Sequence, residues 1–269
     1  VTGMEINRPD LSDLVQLAAG AGAILREGCG NDHQITYKGP VDLVTEMDHR
    51  SEEYILGEIR RRFPEHSILS EESGDIGGSA EHCWYVDPLD GTTNYAHGLP
   101  IFAVSIGYQV RGRMEMAVVY DPMRDECFSA QRGIGAWLNG KPIRVSPCPD
   151  LNLALLVTGF PYSIRSSKNN NLPYFSAFAT RSQAVRRLGS AALDLCYVAC
   201  GRLDGYWEIK LSAWDLAAGV LIVSEAGGMI TDLDGQPDVL KPPYALVTAN
   251  PRLHAQMLDV IREVNITLT

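Results

Sequence analysis

The eight residues Asp87-Pro88-Leu89-Asp90-Gly91-Thr92-Thr93-Asn94 constrain this chain more than any other stretch. They follow a short apolar run, 83–86, with the length and composition of a buried strand, so two carboxylates three residues apart fall at a strand end. Gly91 lets the backbone approach an anion closely, and the amides after it can form a nest or open a helix. The donor set suits a hard divalent cation such as Mg2+, which takes oxygen ligands and commonly shares them with a phosphate. An Asp-x-x-Asp pair alone is ordinary on a solvated turn. With Pro, Gly and Thr also fixed, at roughly one in twenty per specified position, the five-residue pattern recurs about once in ten thousand chains of this size.

The surrounding pattern sets that string in a mixed chain. Leu11, Leu14, Val15, Ala18, Ala21, Ile24 and Leu25 recur at helical spacing, with Asp10 as a cap. A second helix is predicted to start at Asp48, run through Tyr54, Ile55 and Ile59, and stop at Pro64. Apolar runs at 67–70 and 83–86 each end in acidic residues, and enzyme sheets commonly place their chemistry at the ends of buried strands. Residues 102–110 and 114–120 flank Arg111-Gly112-Arg113 as a long hairpin, and the meander continues through 126–130. The second half alternates more evenly. Strands are expected at 154–158, 184–186, 205–207, 229–231 and 245–248, and helices at 174–180, 190–200, 214–225 and 251–264. The stretch 162–173, rich in Ser, Asn and Lys, reads as an exposed loop and a boundary between two halves. The antiparallel component argues against a plain doubly wound sheet and for an α/β (α+β) fold.

At 269 residues the chain can bury a full core in one large domain or two intimate halves. Its net charge of −10 argues against direct nucleic-acid binding and against acidic membranes. No run of about eighteen apolar residues is present, so no membrane-spanning helix is expected. The first residues lack a basic-then-apolar signal pattern. Cys29, Cys83, Cys127, Cys148, Cys196 and Cys200 form no Cys-x-x-Cys pair, which points to a reducing, cytoplasmic setting.

Further acids sit where turns meet regular structure: Glu71 and Glu72 after the run 67–70, Asp48 at the second helix, and Asp215 at the helix 214–225. Taken singly, Asp48 and Asp215 are good helix caps and Glu71-Glu72 a solvated loop. Taken together, acids at strand ends and helix starts are the ones able to join an Asp-x-x-Asp loop around two cations. Such cations activate water and neutralise phosphate, so no protein nucleophile is needed, which suits a chain without an evident Ser-His or Cys-His pair. His49, His66, His82 and His97 lack zinc-type spacing and read as surface or packing residues.

On these motifs the chain resembles the inositol monophosphatase family, the Mg2+-dependent, lithium-sensitive sugar phosphatases. The octapeptide matches one family signature, and Trp214-Asp215-Leu216-Ala217-Ala218-Gly219 with Glu225-Ala226-Gly227-Gly228 matches the second. Lys38, Asp42-Leu43-Val44-Thr45, Asp48 and Glu71-Glu72-Ser73 follow the family's order, and the hairpin with Gly189-Ser190-Ala191-Ala192-Leu193-Asp194 looks like the bacterial members. The resemblance implies a layered αβαβα sandwich in a single domain over 1–269, with halves of about 1–150 and 151–269. It implies two or three Mg2+ ions. Glu71, Asp87 and the Leu89 carbonyl resemble ligands of the first, and Asp87, Asp90 and Asp215 resemble ligands of the second. A third, looser ion leans on Glu71. Glu71 and Thr92, supported by Asp48, are implied to orient the attacking water, with Lys38 near metals and phosphate. Gly91 and Thr92 are implied to hold phosphate oxygens, and Gly189, Ser190, Ala191 and Glu208 to meet substrate hydroxyls.

The implied activity is hydrolysis of a phosphate monoester, with myo-inositol 1-phosphate favoured because Thr93-Asn94-Tyr95 resembles the inositol type. Fructose-1,6-bisphosphatase, histidinol-phosphatase and 3′-phosphoadenosine phosphate phosphatase remain alternatives within the superfamily. Arg186, Arg187 and Lys210 leave room for a second phosphate, although ion pairing is their ordinary use. A regulatory or scaffold protein that retained the fold is the non-enzymatic alternative. The resemblance also implies lithium inhibition and a homodimer.

Overall fold

The computed structural model describes residues 7–31, 35–37 and 43–268. The chain runs through α1 (Leu11–Gly28), the antiparallel pair β1 (Ile35–Tyr37) and β2 (Leu43–Thr45), and α2 (Glu46–Arg62). Next come β3 (His66–Ser70), β4 (Gly74–Ile76), β5 (Ser79–Asp90), α3 (Thr92–Ala96), β6 (Ala103–Val110), β7 (Arg113–Asp121), β8 (Glu126–Gln131), β9 (Gly135–Leu138) and β10 (Lys141–Pro142). These strands, β3 to β10, make an eight-stranded sheet of order β10-β9-β8-β7-β6-β5-β3-β4, antiparallel except where β3 runs parallel to β5. The second half contributes β11 (Leu155–Thr158), α4 (Leu172–Ala179), β12 (Ala184–Arg186), α5 (Ala191–Ala199), β13 (Gly205–Glu208), α6 (Ala213–Glu225), β14 (Met229–Thr231), β15 (Leu246–Ala249) and α7 (Pro251–Leu268). Its five strands are ordered β12-β11-β13-β15-β14, parallel among the first three and antiparallel beyond.

Period-two alternation along the long strands explains the layering, because each strand of the larger sheet feeds two cores. Trp84, Val86, Ile106 and Val118 face α1 and α2, where Leu14, Leu17, Ile55 and Ile59 meet them. Their neighbours Ala103, Ala117 and Val119 face the other way, onto Leu193, Leu216 and Ile222 of α5 and α6. The same two helices meet Tyr206 and Leu246 of the smaller sheet on their far side. Leu156, Trp207 and Val247 then pack against Phe178, Leu253 and Met257 of α4 and α7. The result is the αβαβα sandwich that the resemblance implied, with α5 and α6 as its middle layer.

The β6–β7 hairpin forms at the expected place. Arg111 at φ 49° and Gly112 at φ 79° both turn left-handed, a pairing that matches the twist of the flanking strands. Two expectations need correction. The second helix starts at Glu46 rather than Asp48, because Thr45 caps it. The stretch 162–173 is not the break between the sheets, which falls between Pro142 of β10 and Leu155 of β11. That stretch holds a 3-10 turn, Tyr162–Arg165, and its Asn171 is fully buried. The Asn171 amide donates to Thr158 Oγ1 at 2.7 Å and accepts from Trp207 Nε1 at 2.7 Å, sewing the segment into the second half.

Candidate active site

The acids converge because β5 breaks its own alternation. Asp87 pairs with Ser105 but Asp90 pairs with Ala103, so three steps on β5 answer two on β6. That is a one-residue bulge over Pro88-Leu89, and Pro88 has no N–H to lose from the ladder. In a regular strand, residues three apart point to opposite faces. The bulge returns Asp87 and Asp90 to one face, toward α5 and α6. Glu71 follows β3, the parallel neighbour, and its amide donates to the Val86 carbonyl at 3.1 Å. Asp215 arrives on the first turn of α6. Glu71, Asp87, Asp90 and Asp215 line one cavity of about 340 Å³, together with Leu89, Gly91 and Thr92.

Each carboxylate is also held by the backbone around it. Asp87 Oδ1 accepts the Leu89 amide at 3.0 Å. Asp90 sits at the start of α5, where it takes the Ser190 hydroxyl, the Ala191 amide at 3.2 Å and the Ala192 amide at 2.8 Å. Asp215 Oδ2 accepts the Ser212 amide at 2.7 Å and so closes a capping box on α6, with Ser212 rather than Asp215 as the cap. Asp48 does the same for α2: its Oδ2 accepts the Thr45 amide at 2.8 Å and hydroxyl at 2.7 Å. Asp48 Oδ1 lies 3.1 Å from the Thr92 hydroxyl, which also stands 3.0 Å from the Leu89 carbonyl. With one hydrogen to give, Thr92 serves one of these acceptors at a time. A capping box alone does not mark the site, since Asp10 and Asp13 make one on α1.

The electrostatics are those of crowded negative charge. Burial, and then Glu71, Asp90 and Asp215, hold the Asp87 carboxyl well above the ordinary range. Burial also raises Asp90, against the Ser190 and amide hydrogen bonds that favour its charge. Asp215 is raised by burial and by Asp90 and Glu71. Asp48 is pushed up to about 6, mainly by burial. Among the described residues no three His, Cys, Asp or Glu side chains stand close enough to ligate one ion as they are. The four acids share a cavity rather than a finished coordination sphere. Their chemistry still fits a hard dication: the donors are all oxygen, and Asp87 Oδ2 and Asp215 Oδ1 make no hydrogen bond among the described residues.

Opposite the acids, Gly159, Phe160, Tyr162, Arg187, Glu208 and Lys210 complete the cavity. Tyr206 donates to Glu208 Oε2 at 2.6 Å, and burial pushes the Glu208 carboxyl up to about 7. A side chain at Gly159 would run into that carboxyl, so glycine is required for the close approach. Lys210 donates to Ser167 Oγ at 2.7 Å, tying the segment after Gly159 across the cavity wall. Gly91 at φ 97° could not take a Cβ without approaching the Ile101 carbonyl oxygen to 2.9 Å. Gly189, Ser190 and Ala191 line the cavity as expected, although the Ser190 hydroxyl and Ala191 amide are occupied by Asp90. Arg186 does not line the cavity, and Lys38 and Asp42 lie outside the described residues.

One residue escaped the sequence reading. Glu52 on α2 is 5 % exposed and clamps the loop after Glu71. Its Oε1 takes the Ser70 hydroxyl, the Glu72 amide at 3.2 Å and the Ser73 amide at 3.0 Å, and its Oε2 takes the Ser73 hydroxyl at 2.6 Å. A signal was present: Glu52 lies four residues after Asp48, on the same face as Ile55, and that face is buried.

A sequence profile of the inositol monophosphatase family matches residues 7–265. An inositol-1-monophosphatase from Synechocystis sp. is 46% identical over 243 residues, covering 90% of this chain and 84% of that one. A protein named Nus factor SuhB, from Pasteurella multocida, is 44% identical over 94% of this chain and 96% of its own length. The solved structure of an inositol monophosphatase from Anabaena superposes with a TM-score of 0.86 at 43% identity, covering 94% of this chain and 95% of that one.

Proposed function

The chain belongs to the inositol monophosphatase family, and on that premise we propose that this phosphoric monoester hydrolase uses Mg2+ to cleave a polyol phosphate, myo-inositol 1-phosphate first. The observation that carries the reading is the convergence of Glu71, Asp87, Asp90 and Asp215 on one cavity, where burial holds each of the three aspartates back from ionising. Glu71, Asp87 and the Leu89 carbonyl would hold one ion, and Asp87, Asp90 and Asp215, drawn together by its charge, would hold another. Bound there, Mg2+ supplies charge neutralisation for the phosphate and acidity for the attacking water.

The chain's own groups supply position. Thr92, its hydroxyl hydrogen given to Asp48, would accept a hydrogen bond from the attacking water, and Glu71 would be the second acceptor; the proton the water loses would end on the departing alcohol oxygen. The Gly91 and Thr92 amides hold phosphate oxygens, so that attack is in line. Glu208, steadied by Tyr206, accepts a hydroxyl of the leaving alcohol. We extend to this chain the lithium inhibition, homodimer and cytoplasmic setting that its likeness implies.

Lys210 and Arg187 favour one second reading, a substrate with a further anionic group, because both line the cavity and neither is ion-paired among the described residues. The name Nus factor SuhB on a relative raises a regulatory role beside hydrolysis. Phosphate release with Mg2+, measured on myo-inositol 1-phosphate, fructose 1,6-bisphosphate, histidinol phosphate and 3′-phosphoadenosine 5′-phosphate, ranks these readings. No release from any substrate, with metal bound, leaves only the regulatory one.

Glu52 gives a separate check on how the Glu71 loop is held. Glu52→Ala leaves four donors without their acceptor and is expected to slow turnover about ten- to a hundredfold, the range for groups that support a metal ligand. Glu52→Gln keeps Oε1 in place, and the Ser73 hydroxyl can turn to meet the new amide, so activity near wild type is expected. Equal losses in the two variants would reject the clamp.

A further inference from the structure

Asp194 is a buried carboxyl at this cavity for which the reading above gives no task. It lies on α5, one turn beyond Ser190, and its amide closes on the Ser190 carbonyl at 2.9 Å. The residue is 1 % exposed, yet it lines the cavity beside Glu208. Its Oδ1 is buried and has no hydrogen-bond partner among the described residues. Arg187 lines the same cavity and its charge favours the Asp194 carboxylate, but it stands outside ion-pair distance of it and leaves Oδ1 unbonded. Buried carboxyl oxygens are nearly always bonded, because an unpaired one forfeits its hydration with nothing in exchange.

Neither packing nor helix chemistry explains the choice. At this position in α5 an apolar residue would fill the layer between the sheets as Leu193 and Cys196 do. The first turn of the helix is already served by the Ser190 hydroxyl, which meets the Leu193 amide at 3.4 Å. Asp90 is the nearest of the four acids, but the Ser190 hydroxyl and the Ala191 and Ala192 amides occupy it, and its charge repels Asp194 rather than pairing with it. What remains is the cavity itself, and the part of a substrate that reaches this wall is the alcohol.

We infer that Asp194 is a specificity-determining residue, which together with Glu208 accepts hydrogen bonds from two hydroxyls of the leaving alcohol and so selects phosphate esters of polyols. The inference rests on the phosphatase reading above and adds to it a second acceptor for the sugar. Glu208 alone, with one oxygen engaged by Tyr206, recognises a single hydroxyl direction. Two carboxyls, one from β13 and one from α5, recognise a pair of hydroxyls and reject alcohols that cannot fill both acceptors.

The test compares wild type, Asp194→Ala and Asp194→Asn on myo-inositol 1-phosphate and on p-nitrophenyl phosphate, whose leaving group has no spare hydroxyl. For Asp194→Ala, kcat/KM on the inositol ester is expected to fall about ten- to a hundredfold, mostly through KM. On p-nitrophenyl phosphate it stays within about twofold of wild type. Asp194→Asn keeps the shape and one acceptor and is expected to fall between. Both variants should melt at or above the wild-type temperature, because an unpaired buried carboxyl has been removed. Equal losses on both substrates, or none on either, overturn the role of Asp194. A wild type that hydrolyses p-nitrophenyl phosphate while the variants lose selectivity supports both readings; a wild type that hydrolyses neither ester rejects the phosphatase reading and this inference with it.

Discussion

Asp87→Asn is expected to fold normally and to release phosphate at least about a thousandfold more slowly, at the upper end of what a single electrostatic group contributes at a preorganised site. Asparagine is nearly the same shape, and its carbonyl oxygen can still accept the Leu89 amide that Asp87 takes at 3.0 Å. The bulge over Pro88-Leu89 therefore survives. What is lost is the charge proposed to be shared by two cations. The remaining acids also repel one another less, so the metal-free variant should be as stable as wild type or more so. Circular dichroism and a melting curve report the fold, and phosphate release reports the chemistry. A folded variant with near wild-type turnover would falsify the bridging role.

The second large effect is on stability. Asp87, Asp90 and Asp215 hold protons in the folded chain above pH values where the unfolded chain has released them, the ordinary value being 3.8. Where the folded state binds more protons, stability falls as pH rises. The loss starts near pH 4 and continues upward through the raised folded values. Asp48, raised from 3.8 to about 6, and Glu208, raised from 4.5 to about 7, have the same sign and lose their share by those values. Glu126, lowered by its hydrogen bond to Arg202, acts oppositely and only on the acid side. The Mg2+ proposed above would bind the ionised acids, so it would have to displace protons at low pH and would meet none at high pH. At a hundredfold over Kd, each ion adds about 2.7 kcal/mol, and two ions raise Tm by roughly 10–20 °C for a chain of this length. Melting with Mg2+ and with chelator should show a gap that is wide at pH 8 and narrow at pH 5. A gap that is absent, or wider at pH 5, would reject a carboxylate-held cation.

The lining of the cavity was largely readable because its residues cluster in a few motifs, and the fold was readable because apolar periodicity marks each layer. What escaped was set by contacts distant in the chain. Nothing in Asp87-Pro88-Leu89-Asp90 alone says that β6 answers it with one residue fewer, yet that mismatch puts both aspartates on one face. Asp48 and Asp215 read as caps, but the caps are Thr45 and Ser212, and each acid bonds back from the third helical position. Glu52 looks like any surface glutamate until β3 lays the loop after Ser70 across it. The stretch 162–173 has the composition of a linker. Asn171 overrides that composition because two buried partners, Thr158 and Trp207, need its amide.

The two ends of the cavity are built to different tolerances. Where phosphate is proposed to bind, each aspartate is fastened to a strand end or helix start, so a change there damages local backbone as well as charge. Where the alcohol is proposed to bind, part of the wall is the segment after Gly159, joined across the cavity by Lys210 to Ser167. Substitutions or insertions in that segment can reshape which alcohol fits without touching the groups that handle phosphorus. A lineage carrying this scaffold can therefore change its diet while keeping its reaction.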